Sequence, residues 1–284
     1  MEQVRITECP RDAMQGMTKF IPTQVKMEYL NRLLICGFDV LDFGSFVSPK
    51  AIPQLRDTKE VLADLIESPT KLLAIVANER GVDEALLHDR ISYIGYPLSI
   101  SDTFQIRNTH KSISDSWSTL RYIQDAVLTK NKEMVVYLSM GFGNPYGDEW
   151  NASILSDFSF ELAKIGVKKI ALSDTIGCAT PLLVKELFLT LSKELPELIF
   201  SAHLHTNELN ASSLVEAALN GGCRDFDAAI KGFGGCPFAS DKLTGNMPTE
   251  LLIQTIESLG LNHSLNTNHF KNAYEYSSEV FSVQ

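Results

Sequence analysis

Short apolar and β-branched runs alternate with longer stretches of helical periodicity along the chain. The runs fall at residues 4–7, 40–43, 71–77, 93–98, 134–140, 169–173, 199–205 and 226–230. Their continuous apolar character marks strands covered on both faces, as in a parallel sheet. Helical patterns lie between them at 23–36, 59–66, 82–88, 112–128, 153–165, 181–195 and 211–220, and one more follows at 249–259. In the first of these Val25, Tyr29, Leu30, Leu33 and Leu34 recur at the helical period, and Gly37 follows as a C-terminal cap. Thr180 before Pro181 reads as an N-cap with proline at the first helical position.

Evenly sized strand–helix units, repeated eight times, predict an α/β protein closed into a (β/α)8 TIM barrel. A doubly wound sheet is the competing arrangement, but no GxGxxG follows the first strand. The barrel takes about residues 4–260. About 261–284 form a short helical C-terminal extension, with a helix over 267–278, and 1–284 is read as a single catalytic domain.

Composition narrows the functions. Of 284 residues, 44% are hydrophobic and 21% charged, which fits a soluble globular chain and excludes a disordered one. No apolar run reaches the ~18 residues of a membrane helix, and the N-terminal segment lacks an apolar signal core. Cys9, Cys36, Cys178, Cys223 and Cys236 are odd in number and form no CxxC, the pattern of reduced thiols in a cytoplasmic protein. A net charge of −10 argues against nucleic acid as a partner. It leaves an anionic small substrate open, because the field in a cleft can oppose the net charge.

Active groups of such a barrel sit at the C-terminal ends of the strands. The first strand ends in Glu8-Cys9-Pro10-Arg11-Asp12, the second at Asp42, the sixth at Asp174-Thr175 and the seventh at His203-Leu204-His205. After the eighth come Gly232-Phe233-Gly234-Gly235-Cys236-Pro237 and then Gly245-Asn246. Residues i and i+2 of a strand share a face, so His203 and His205 both point into the barrel mouth as two candidate nitrogen ligands. The bland alternative is one core and one surface histidine. With Asp12 and an amide oxygen from Asn246, the set is mixed N/O without thiolate, suited to Mg²⁺ or Mn²⁺ and compatible with Zn²⁺ or Co²⁺. Taken singly, Asp12 and Asn246 also read as turn residues and Arg11 as a solvated rim charge. Asp42 and Asp174 are either acid/base groups, partners that orient ligands, or strand-end caps. Cys236, on a glycine-rich loop, is a candidate nucleophile or proton donor.

Taken together, residues 8–15 (Glu-Cys-Pro-Arg-Asp-Ala-Met-Gln), 45–50 (Ser-Phe-Val-Ser-Pro-Lys), 173–177 (Ser-Asp-Thr-Ile-Gly), His203-Leu204-His205 and 232–239 (Gly-Phe-Gly-Gly-Cys-Pro-Phe-Ala) resemble the 3-hydroxy-3-methylglutaryl-CoA lyase family of metal-dependent barrels. The resemblance runs from about Val4 to Leu259. It implies cleavage of an acyl-CoA thioester to acetyl-CoA and acetoacetate, a step compatible with leucine breakdown or ketone-body formation. It also implies one divalent cation held by Asp12, His203, His205 and Asn246. Arg11 would stabilise the enolate, Cys236 would transfer a proton, and Asp42 would assist. His203 is nominated as base, a role awkward for a metal-bound imidazole, and stays open. Gln15, Asp174 and Thr175 would touch substrate, and Lys19, Lys50, Arg56, Arg107 and Lys231 are rim cations for CoA phosphates. A homodimer is implied as well. Two positions depart from the family pattern: Asp42 stands where glutamate is frequent, and Thr206 where aspartate follows the second histidine. They keep open a relative acting on a larger branched 3-hydroxyacyl-CoA, a 2-oxo acid/acetyl-CoA Claisen synthase, and a non-enzymatic acyl-CoA-binding barrel.

Overall fold

Eight strands pair side by side in parallel in the computed structural model, which describes residues 3–235 and 244–282. They are β1 (Arg5–Glu8), β2 (Val40–Ser45), β3 (Lys71–Ile75), β4 (Ile91–Ser99), β5 (Glu133–Ser139), β6 (Lys169–Asp174), β7 (Ile199–Thr206) and β8 (Asp225–Ala228). The sheet runs β6-β5-β4-β3-β2-β1-β8-β7, and β6 pairs with β7 to close the ring. The expected TIM barrel is therefore the fold. Cys236 lies outside the described residues.

Helices α1 (Pro10–Gln15), α2 (Thr23–Leu34), α3 (Thr58–Asp64), α4 (Glu79–Ala85), α5 (Asp102–Thr109), α6 (Ile113–Thr129), α7 (Ala152–Lys164), α8 (Pro181–Glu194), α9 (Ala211–Asn220), α10 (Thr249–Ser258) and α11 (Thr267–Phe281) follow the strands. Their apolar faces and the outward faces of the strands make the main core. A second cluster of Leu73, Ile75, Val135, Tyr137 and Ala171 fills the barrel interior. Caps set the helix starts. Thr180 accepts from Leu183 N as the sequence predicts. Asn78 accepts from Gly81 N, so α4 begins three residues before the predicted 82.

The strand predicted over 226–230 ends at Ala228. Ile230–Gly232 form a 3-10 turn with Lys231 at φ 59°. A two-residue strand β9 (Gly245–Asn246) pairs antiparallel with β7, placing Asn246 opposite His205. In β2 the register slips between Asp42 and Gly44, a bulge that re-aims the end of the strand.

Helix α11 lies along α2. Asn266 N donates to Cys36 O at 2.7 Å near its start, and Phe281 packs edge-on to Tyr29 at 5.9 Å near its end. Phe281 also stacks on Phe233 at 4.3 Å, just beyond β8. Gly37, at φ +90°, lets this extension approach: a Cβ there would stand 2.7 Å from Ser264 O.

A buried ion pair ties α2 to the segment after β2. Lys26 Nζ donates to Asp57 at 2.8 Å and also meets Gln54 O, and both charged side chains are buried. Removing one partner of such a pair leaves the other charge in low dielectric. Lys26→Met is expected to lower unfolding free energy by about 3 kcal/mol, read from urea denaturation. An unchanged midpoint would show that Asp57 finds another partner.

Candidate metal and active site

Four elements meet at the mouth of the barrel. Pro10 at the first position of α1 turns the chain directly from β1 into a helix, so Arg11 and Asp12 sit in its first turn, both buried. From β7 come His203 and His205, and β9 brings Asn246. Ligand atoms of Asp12, His203 and His205 all lie within 4.8 Å of one another. Asn246 Nδ2 donates to Asp12 Oδ2 at 2.8 Å and to Phe233 O at 2.9 Å, which leaves its Oδ1 as the donor atom.

Both imidazoles are oriented from behind. His203 Nδ1 bonds Asp227 Oδ2 at 3.0 Å, and His205 Nδ1 bonds the carbonyl of Thr175 at 2.9 Å. Each Nε2 is thereby left as the ligand nitrogen, the arrangement in which an outer partner fixes tautomer and ring. Burial, and then His203 beside it, drop the His205 pKa to about 4, so this ring is neutral and ready for a metal. Burial also works against charge on His203, but the bond to Asp227 and its charge outweigh that and raise the pKa. For Asp12, burial is overcome by Arg11 and the two histidines, and its carboxyl lies below the usual range.

The donor set fits a divalent cation: one carboxylate, two imidazoles whose Nδ1 atoms are held from behind, and one amide side chain that already meets His205. A second group, Cys9 with His203 and Asp227, also lies within 4.8 Å. There burial pushes the Cys9 thiol well up, away from thiolate, and His203 Nδ1 already holds Asp227.

Arg11 is fixed by its neighbours. Its Nε and Nη2 donate to Asp42 at 3.0 and 2.6 Å, and Nη1 donates to Gln15 Oε1 at 2.8 Å and Asp12 at 3.2 Å. Burial alone would weaken its charge, but Asp42 and Asp12 more than restore it. Asp42 is 0% exposed behind Arg11, with burial holding its carboxyl up to about 6 against the pull of the guanidinium. It has no surface in the cleft and acts by orienting Arg11. Gln15 bridges the pair, its Nε2 donating to Asp12 Oδ1 at 2.5 Å.

These residues line one end of a cleft of about 150 Å³. Its walls come from the segment after β2 (Val47, Ala51, Ile52), from α5 (Phe104, Asn108, Thr109) and from Tyr137 and Ser139 of β5. Thr175 lines the cleft, although its hydroxyl accepts from Met140 N. Asp174, expected to touch substrate, is instead turned to the loop behind it: its carboxylate accepts from Cys178 N and Ala179 N, both at 2.9 Å. The strand-end cap is the reading that describes it. Thr206 alternates to the opposite face from His205 and is absent from the cleft walls, and it pairs with Gly245 of β9 beside Asn246. Gly234, at φ +93°, passes so close that a Cβ would meet Ala13 Cα at 2.7 Å and Asn246 Nδ2 at 2.8 Å. Of the rim cations, Arg56 lies over Phe20, Arg107 over Tyr146 and Lys231 over Tyr274.

Asp227 and Tyr137 escaped sequence reasoning. Asp227 interrupts the apolar run of β8 two residues from Asp225, a period-two signal for an inward carboxylate. Tyr137 meets His203 edge-on at 5.3 Å but reads as one more aromatic in a buried strand.

A closed (β/α)8 barrel with this rim defines the class of divalent-metal-dependent barrel enzymes. The chain belongs to the HMGL-like family, whose model matches residues 4–276. It is 32% identical over 269 residues to the cytoplasmic 3-hydroxy-3-methylglutaryl-CoA lyase of Homo sapiens, covering 93% of this chain and 72% of that one. Its structure is similar to the HMG-CoA lyase of Bacillus subtilis at 30% identity and TM-score 0.92, covering 98% and 94% of the two chains. The HMG-CoA lyase of Acinetobacter baumannii, solved with coenzyme A and 3-methylmalate, matches at 28% identity and TM-score 0.91, covering 99% and 92%. Among the described residues no helix is long and apolar enough to cross a membrane.

Proposed function

We propose that the protein is a carbon–carbon lyase that cleaves 3-hydroxy-3-methylglutaryl-CoA into acetyl-CoA and acetoacetate. The observation that carries this reading is the adjacency of Arg11 and Asp12 on one short helix facing the His203/His205 pair. A guanidinium for a developing enolate and a cation site for the substrate oxygens thus stand side by side. Asp12, His203, His205 and Asn246 would hold Mg²⁺ or Mn²⁺. Bound there, the cation would act as a Lewis acid on the hydroxyl and carbonyl oxygens of the acyl group.

In this reading a general base, either water in the cleft or a side chain, takes the C3 hydroxyl proton, the C2–C3 bond breaks, and the electron pair passes into the thioester enolate. Arg11, held rigid by Asp42 and Gln15, would meet that negative charge with its guanidinium charge and the one Nη2 N–H its neighbours leave. His203 Nδ1 bonds Asp227, and as a ligand it would give Nε2 to the cation, which would leave it no nitrogen for the hydroxyl proton. Cys236 remains the candidate for returning a proton to the enolate carbon. The cleft, at about 150 Å³, is of the size that holds a benzene-sized group. The acyl end would enter this cleft and the nucleotide would lie outside it. A reducing, cytoplasmic setting accords with unpaired Cys9, Cys36, Cys178 and Cys223, and the homodimer implied by the sequence belongs to the same reading.

Acetoacetate release from the thioester tests the proposal. Turnover is expected with Mg²⁺ or Mn²⁺ and is lost on chelation. Folded protein that is silent with both ions would sink it.

A further inference from the structure

Glu8 ends β1 with a carboxyl that is 0% exposed. Its Oε1 accepts the N–H of Ile230 at 2.9 Å, and its Oε2 takes the Thr249 hydroxyl at 2.6 Å. Ile230 lies just past β8. Thr249 opens α10, three residues beyond Asn246. The two segments are fastened to each other as well: Ala229 N donates to Met247 O at 2.9 Å, and Thr249 N to Ala229 O at 3.2 Å. They form one ribbon. It is tied to the barrel by β9 on β7 at one end and by Glu8 on β1 at the other.

Among the described residues no cation faces Glu8. The titratable groups that feel it are Tyr29 of α2, Cys36 beyond α2, Cys9 and Glu250 of α10, and none carries positive charge. Burial therefore holds the carboxyl up to about 8. A neutral carboxyl can accept one hydrogen bond and donate another, as an amide does.

We propose that Glu8 is a positioning residue for Asn246, clamping the ribbon that delivers the amide oxygen to the cation site. This rests on the reading of Asn246 as a metal donor. One strand, β1, then sets two donors: Asp12 through α1 and Asn246 through Glu8. The Asn246 amide bonds Asp12 directly, so the register between them matters to within a hydrogen-bond length.

Binding of Mn²⁺ alone, followed by the electron paramagnetic resonance of the free ion, tests this without substrate. The variants are Glu8→Gln, Glu8→Leu, Thr249→Val and Asp12→Ala, each checked for fold by circular dichroism. Outer partners of metal ligands typically contribute ten- to hundredfold in affinity, so Glu8→Leu is expected to weaken Mn²⁺ by about that factor. Thr249→Val, which removes one of the two bonds, is expected to weaken it by roughly threefold to tenfold, and stands in if the leucine variant fails to fold. Glu8→Gln keeps both bonds and is expected to stay within about threefold of wild type. Asp12→Ala binds no Mn²⁺. Wild-type affinity in the leucine and valine variants would overturn the proposal, and so would a glutamine variant as weak as leucine. A wild-type protein that binds no Mn²⁺ would instead overturn the metal reading beneath it.

Discussion

Replacing Arg11 by glutamine is expected to lower kcat by roughly 10³-fold, with KM little changed and the fold intact. Loss of one preorganised oxyanion donor typically costs about 10²–10³ in kcat, and Arg11 offers a full charge besides its N–H groups. The interaction matters only when negative charge has developed on the thioester, so the loss falls on kcat and kcat/KM together. Removing a partner from a buried ion pair ordinarily destabilises by about 3–5 kcal/mol, which would confuse the experiment. Here the penalty is limited by Asp42. Its carboxyl already stands near 6 beside the guanidinium, and without that pull it takes up a proton at neutral pH. Glutamine can still bond Asp12 or Asp42. Activity within about tenfold of wild type, equivalent to ~1.4 kcal/mol, would remove Arg11 from the chemistry.

His205→Ala is expected to abolish turnover and to weaken Mn²⁺ by more than about 100-fold, the upper end of what outer partners contribute. Asp227→Asn is the graded companion, with about ten- to hundredfold weaker binding, because His203 keeps Nε2 but loses its orienting carboxylate. The fold should survive at His205. The ring is neutral at neutral pH and its hydrogen bonds go to the Thr175 carbonyl and the Asn246 side chain, so no charge is orphaned. Isothermal titration with Mn²⁺ separates the two variants. Equal affinities for wild type and His205→Ala would show that the cation sits elsewhere.

Much of the barrel could be read from the chain because parallel strands are covered on both faces and show as unbroken apolar runs. The predicted 199–205 and the observed Ile199–Thr206 differ by a residue. Helix α1 was invisible: it is six residues long and carries Arg11, Asp12 and Gln15, so chemistry replaces amphipathic periodicity. Helix α5, Asp-Thr-Phe-Gln-Ile-Arg-Asn-Thr, has too few apolar residues to show a stripe, yet it forms a wall of the cleft. Within the site, parity alone put His203 and His205 on one face. Asn246 is different. Its place depends on a two-residue strand paired with β7, a contact some forty residues away along the chain that no local pattern encodes. The roles of Gln15, Asp42 and Asp174 shift for the same reason: which neighbour a polar group chooses is decided by packing.

The Nδ1 anchors on Asp227 and Thr175 have a consequence for ion selection. Because protein partners already fix both rings, and Asp12 and Asn246 already touch, loading of the proposed site would require no refolding, unlike small zinc-organised domains that collapse only around their ion. Such a ready-made nitrogen–oxygen nest would be expected to rank first-row cations by the Irving–Williams series, with Zn²⁺ bound more tightly than Mn²⁺. Occupancy is then governed by the free-ion pool around the enzyme, and traces of zinc in a preparation would compete with the working ion.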